Sequence, residues 1–270
     1  MMTTNNLGWV KAVGYVLIYV VLQLIVLSIA SIGYSLYIGH EVEELPTMGM
    51  MIVMALSPII GIALFMGAGW TKVSRQYLQS RPVGVLFWCT LAALGAIIPS
   101  MFLQELMPEW PDSIQKYIEQ TEISAARLMS TTGGYFVICL LAPVAEEVVF
   151  RGAVLRTLLA WKPERRWLMI TFSALLFAAA HLNPAQLLHP LLIGLLLGWM
   201  YERTGSLLPG IIYHWVNNTA AYLLFRAYPS PDIKLIDIFG GQPTKELLAV
   251  VFSLFILMPA LYQLFLRMKK

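Results

Sequence analysis

The stretch that decides the fold is LAPVAEEVVFRGAVLRTLLAW, residues 141–161. It has the length of a helix crossing hydrocarbon, which needs roughly 20 mostly apolar residues, yet it carries Glu146, Glu147, Arg151 and Arg156. An ionisable side chain near the bilayer centre costs about 2.5–3.5 kcal/mol on insertion scales, so charge at that depth is a functional hypothesis by default. The surrounding chain is equally apolar. Of its 270 residues 59% are hydrophobic and 12% charged, with a mean hydropathy of +0.72, whereas soluble domains carry about 25% charged residues. This composition reads as an all-α membrane protein, and with no polar stretch long enough for a separate domain, residues 1–270 form one membrane domain.

Working outward, eight apolar runs are expected to be transmembrane helices: 10–38, 48–70, 83–107, 134–160, 167–180, 186–201, 206–225 and 246–266. The fifth and sixth are short for a full crossing, so tilt or shielding by neighbours is expected there. Lys and Arg are retained on the cytoplasmic side. With the N-terminus inside, the inner segments hold Lys11, Lys72, Arg75, Arg81, Arg156, Lys162, Arg165, Arg166, Arg203, Arg267, Lys269 and Lys270, against Lys116, Arg127, Arg226, Lys234 and Lys245 outside. Both termini are therefore expected in the cytoplasm. The run at 10–38 is too long for a signal-peptide core and reads as a retained first span. Between the third and fourth runs, PEWPDSIQKYIEQTEISAARLMSTT at 108–132 places Ile114, Tyr117, Ile118, Ile123 and Leu128 at roughly helical spacing. That spacing fits an amphipathic helix on the outer surface, and a solvated loop is the alternative.

The net charge of +3, with no basic stripe, is too small to suggest a nucleic-acid partner, and none is expected. Cys89 and Cys139 lie singly in apolar runs, without metal or redox spacing. Trp70, Trp161, Trp167 and Tyr201 fall at span ends, where aromatic rings anchor to membrane lipid. Nothing in the sequence specifies an oligomeric state.

Chemistry is left to a few polar residues. Glu147 and Arg151 are four apart and suit an ion pair along one helix face. Glu146 lies about 100° around the helix and has no cation within reach on its own helix. Adjacent residues on one helix diverge, which argues against a carboxyl dyad sharing a proton. Pro143 suits a first helical turn, so a break or kink at LAP is expected, with Glu146 near a helix N-terminus. His181 ends FAAAH, residues 177–181, and HWVNN, residues 214–218, sets His214 and Asn218 one turn apart. A desolvated Glu146 gains proton affinity and suits a general base acting on water, with His181 orienting that water. His214 and Asn218 offer N–H donors for an oxyanion. Together they describe amide hydrolysis inside the membrane. The competing arrangement puts a divalent metal such as zinc on Glu146, His181 and His214 with an open position for water. The sequence has no HExxH, and Asn218 has no place in a zinc shell, so the metal-free reading, with no cofactor, is favoured.

At these residues the sequence resembles the CPBP family, also called Abi, which includes type II CAAX prenyl endopeptidases and bacterial bacteriocin-processing and self-immunity proteins. EEVVFRG at 146–152 is similar to its EExxxR motif, FAAAH to FxxxH, and HWVNN to HxxxN. The resemblance covers about 133–225, the catalytic core it implies. It implies an eight-helix intramembrane endopeptidase in which Glu146 and His181 activate water, His214 and Asn218 hold the oxyanion, and Glu147 and Arg151 support them. Members have been described both as metalloproteases and as glutamate proteases. The family's site opens towards the cytosol, while His181 counts out near the outer face, so the fifth span is expected to be displaced. His189 matches no motif and reads as a boundary residue beside Pro190, with the lining of an access path as the alternative. A peptide or membrane-protein substrate and a bacterial cytoplasmic membrane follow from this reading. The alternative function is a non-proteolytic scaffold or immunity protein on the same fold; a transporter ranks last because no paired halves are visible.

Overall fold

The computed structural model describes residues 7–268 except 43, 75, 76, 78, 81, 109, 185, 186, 231 and 232. Each apolar run becomes a helix, and no strand occurs among the described residues. In chain order these are α1 (Gly8–Ile38), α2 (Thr47–Gly67), α3 (Val83–Glu105), α4 (Asp112–Met129), a long α5, α6 (Arg166–Ala180), α7 (Leu188–Thr204), α8 (Leu208–Ala227), the short α9 (Leu235–Ile238) and α10 (Pro243–Arg267). Four of them, α1, α2, α3 and α10, are long and apolar enough to cross a membrane on length and composition.

α5 is the axis of the bundle. Its segments Phe136–Leu141, Ala142–Glu146, Glu147–Leu155 and Arg156–Trp161 follow one another with helical dihedral angles at every junction, the first and third being π-helical. The helix expected to break at LAP therefore runs on through Pro143. The reason lies in the wider π register: the Ala142 N–H reaches back five residues to the Val137 carbonyl, so the proline, which has no N–H and crowds the preceding turn, is passed without a stop. A π-helical stretch strains backbone pairing and is frequent at functional sites. Neighbouring side chains compensate: Thr71 Oγ1 donates to the Val148 carbonyl at 2.6 Å, Ser173 Oγ to Phe150 at 3.4 Å and Arg156 Nε to Gly152 at 2.9 Å. Away from water such compensation is obligatory.

Around α5 sit α1, α2, α6, α7 and α8, while α3 packs against both α10 and α8 on the far side. Two apolar clusters result. One joins Val16, Tyr19, Phe65, Phe150 and Phe177; the other joins Cys89, Ile193, Leu197, Tyr213 and Leu264. Small residues set the close approaches, as in membrane bundles generally. A methyl group on Gly194 would meet Ala174 of α6, and one on Gly210 would run into the Glu147 carboxylate. The segment 108–132 resolves into the expected helix, with Ile118 and Leu128 buried. α4 lies over the α6–α7 connection, where Tyr117 donates to the Leu182 carbonyl at 3.0 Å and Asn183 to Thr121 Oγ1 at 3.1 Å.

Candidate active site

Three helices bring the motif residues to one place. α5 supplies Glu146, Glu147 and Arg151, α6 stops at His181, and α8 supplies His214 and Asn218. Glu147 and Arg151 form the expected pair at 2.8 Å, both side chains no more than 2% exposed. Breaking a pair buried this fully strands a charge, so the two residues act as a unit. The guanidinium also lies 4.5 Å from the centre of the Phe177 ring. That ring meets His181 and His214 edge-on, with centroids 4.8 and 6.0 Å away. Phe177 is thus the wedge between ion pair and histidines, a role its place in FAAAH did not reveal.

His214 is the hub. Its Nε2 stands 3.7 Å from Glu146 Oε2 and its Nδ1 3.5 Å from Glu147 Oε1. The neighbouring glutamates were expected to diverge, and their backbone directions do differ. Both carboxylates nevertheless reach one imidazole, because the ring lies against α5 and presents a nitrogen to each. Gly210, one turn earlier on α8, permits this approach. Glu146 Oε2, Glu147 Oε2 and His214 Nδ1 are buried without a hydrogen-bond partner among the described residues. Buried polar atoms left this way cost free energy and are rare outside functional sites.

His181 caps the C-terminal end of α6, a 15-residue helix about 22 Å long at 1.5 Å per residue. The helix is too short for a 30 Å core, so it ends inside the bundle beneath α4 and leaves His181 at the level of Glu146. His181 Nδ1 lies 2.9 Å from the Phe177 carbonyl. A carbonyl only accepts, so neutral His181 carries its proton on Nδ1 and keeps Nε2 as an acceptor.

Glu146, His181, His214 and Asn218 line one cavity of about 360 Å³. A second cavity, about 410 Å³, lies between α1, α2 and α5 and shares Glu146 and His181. A third, about 360 Å³ and beside α3 and α4, shares Asn218. His189 and Asn217 line the first and third cavities as well. His189 therefore lines the candidate site, the second of its two expected readings. It contacts Ser100 Oγ through Nδ1, and its Nε2 is 3.4 Å from Asn217 Nδ2. The signal was present in the sequence: only seven residues separate His181 from His189, so a helical hairpin must return them to the same level. Asn218 Nδ2 donates to the Ile138 carbonyl at 3.1 Å, and Asn218 Oδ1 accepts from Asn217 at 3.3 Å.

Among the described residues no three His, Cys, Asp or Glu side chains are arranged to hold a metal ion. Glu146, His181 and His214 line the same cavity.

With this geometry in place, comparison with known proteins gives one match. Residues 129–220 match the Rce1-like family of type II CAAX prenyl endopeptidases. The matched segment runs from the end of α4 into α8 and contains every motif residue named above. The family named is one of CAAX endopeptidases, and the match together with the four long apolar helices indicates an integral membrane protein. No curated protein and no solved structure matches the chain.

Proposed function

We propose that this protein is an intramembrane endopeptidase that hydrolyses a peptide bond with water activated by Glu146 and His181. The observation that carries the reading is the shared cavity, where a buried carboxylate oxygen without a partner sits among His181, His214 and Asn218. Glu146 takes the proton of the attacking water, with the bare Nε2 of His181 orienting it. As the carbonyl becomes tetrahedral, its oxygen accepts from His214 and from the second N–H of Asn218, the first being held by Ile138. Glu147, neutralised by Arg151, stands 3.5 Å from Nδ1 of His214 and holds the ring against α5. A metal has no step in this scheme.

The substrate is a peptide or membrane protein presenting an apolar or membrane-proximal segment, since the cavities are walled mainly by apolar side chains. The eight helices α1–α3, α5–α8 and α10 are the membrane-embedded ones, α6 ending short of a full crossing, with both termini in the cytoplasm of a bacterial cytoplasmic membrane. Reporters fused after residue 270 and within 108–132 are expected to report cytoplasmic and external sides respectively; the reverse result inverts the topology.

The decisive experiment uses purified protein in detergent with a cleavable peptide. Glu146→Gln is expected to lower kcat by about 10²–10⁴-fold, the contribution of a general base, while chelator-treated, metal-free protein retains activity. Undiminished cleavage by Glu146→Gln removes the mechanism, and loss of activity on chelation with recovery on adding zinc replaces it by metal catalysis. Cleavage of no peptide by the wild type favours the scaffold reading.

A further inference from the structure

Ser100, His189 and Asn217 occupy no fixed position of the three motifs, yet they form a continuous hydrogen-bonded chain ending on Asn218. We infer that Asn217, held by His189 and Ser100, is a positioning residue that fixes the orientation of the Asn218 amide for the reaction. The inference rests on the endopeptidase reading and deepens it.

The polarity of the chain follows from one missing hydrogen. In the π register of Phe136–Leu141, where Ala142 N–H bonds to Val137, the Ile138 carbonyl would accept from residue 143. Residue 143 is proline and has no N–H to give. A carbonyl accepts only, so the group that Asn218 turns towards it must be its NH₂, and Nδ2 donates there at 3.1 Å. This puts Asn218 Oδ1 on the opposite side, where it needs a donor. Asn217 Nδ2 supplies one at 3.3 Å and uses its second hydrogen on His189 Nε2 at 3.4 Å. Nε2 must then be the unprotonated nitrogen, so the His189 proton sits on Nδ1 and is donated to Ser100 Oγ. From Pro143 to Ser100 every orientation is dictated by the one before, and reversing any member sets two acceptors or two donors face to face.

The consequence for the site is specific. Asn218 is held at both ends, its oxygen by Asn217 and one N–H by Ile138, which leaves its other N–H as the free donor in the cavity. Such preorganised donors carry most of their effect through fixed direction. Asn217 itself need not touch the substrate.

The test uses the full-length protein in detergent and the cleaved peptide of the preceding section. Asn217→Asp keeps the shape but loses both N–H groups, and is expected to lower kcat by up to about 10²-fold, as a misplacement of order 1 Å does, with KM changed by less than about twofold. His189→Leu is expected to follow it. His189→Gln, whose amide can accept from Asn217 and donate to Ser100, is expected to recover kcat to within about threefold of wild type, a level set by regaining the single lost hydrogen bond. ¹⁵N NMR of His189 supplies a readout that packing alone would not move: the proton resides on Nδ1 in the wild type and shifts to Nε2 in Asn217→Asp. Unchanged kcat in Asn217→Asp overturns the inference, as does a His189→Gln variant no better than His189→Leu at equal thermal stability. A wild-type protein that cleaves nothing defeats the endopeptidase reading instead, and the tautomer measurement then decides the chain by itself, with a proton on Nε2 overturning it.

Discussion

α1 and α5 are both long helices in the same bundle, and they solve opposite problems. α1 has a peak window hydropathy of 2.5 with only 11% of that window buried in protein. Its Leu17, Val21, Ile25 and Ile32 turn outward. α5 carries Glu146, Glu147, Arg151 and Arg156, yet every residue from Glu147 to Leu155 is buried. The most apolar helix is the least buried because its solvent is lipid, whereas α5 is surrounded by partners able to satisfy charge. In a membrane, hydropathy therefore reports contact with lipid, and the functional helix is found by its failure to be apolar.

Three substitutions sharpen this contrast. Arg151→Leu makes α5 more like α1 and by hydropathy alone should stabilise it; it is expected instead to cost about 3–5 kcal/mol, because Glu147 is left charged and buried. Thermal unfolding in detergent reads the loss, and Glu147→Gln in the same chain should recover part of it. If Arg151→Leu unfolds at the wild-type temperature, Glu147 is not held by that arginine. Ile25→Asp makes α1 more like α5 without giving the carboxylate a partner, and is expected to cost about 2.5–3.5 kcal/mol of insertion. A glycosylation-mapped insertion assay measures this, and unimpaired insertion would mean that α1 faces protein or water at that depth. Gly210→Ala adds one methyl group against the Glu147 carboxylate; overpacking of this kind costs about 1–3 kcal/mol. Activity should fall with stability as α8 is pushed off α5, and full activity would show that His214 tolerates a looser fit.

Much of the molecule was legible in its residues. Apolar runs gave the helices of the bundle apart from α4 and α9, the longer ones because span length follows from bilayer thickness. The i,i+4 spacing gave the Glu147–Arg151 pair, since it depends on local geometry alone. The segment 108–132 was legible as a helix from its spacing, though only docking showed that it covers the α6–α7 connection. His189 was legible only as a boundary or access-path residue, because its chemistry lies in partners 89 and 28 residues away, Ser100 and Asn217. The approach of both glutamates to His214 was missed for a related reason: a helical wheel knows the directions around its own axis and nothing of the ring placed beside it.

The sequence by itself determined that the chain is a membrane bundle with a small set of polar groups on its fourth, fifth and seventh apolar runs, because exclusion from hydrocarbon acts on each residue separately. Tertiary structure alone decided what those groups face. The π register that carries α5 through Pro143, the hold of Asn218 on the Ile138 carbonyl and the reach of two carboxylates to one imidazole each depend on groups brought together from different helices, and packing, unlike hydropathy, is a property of pairs.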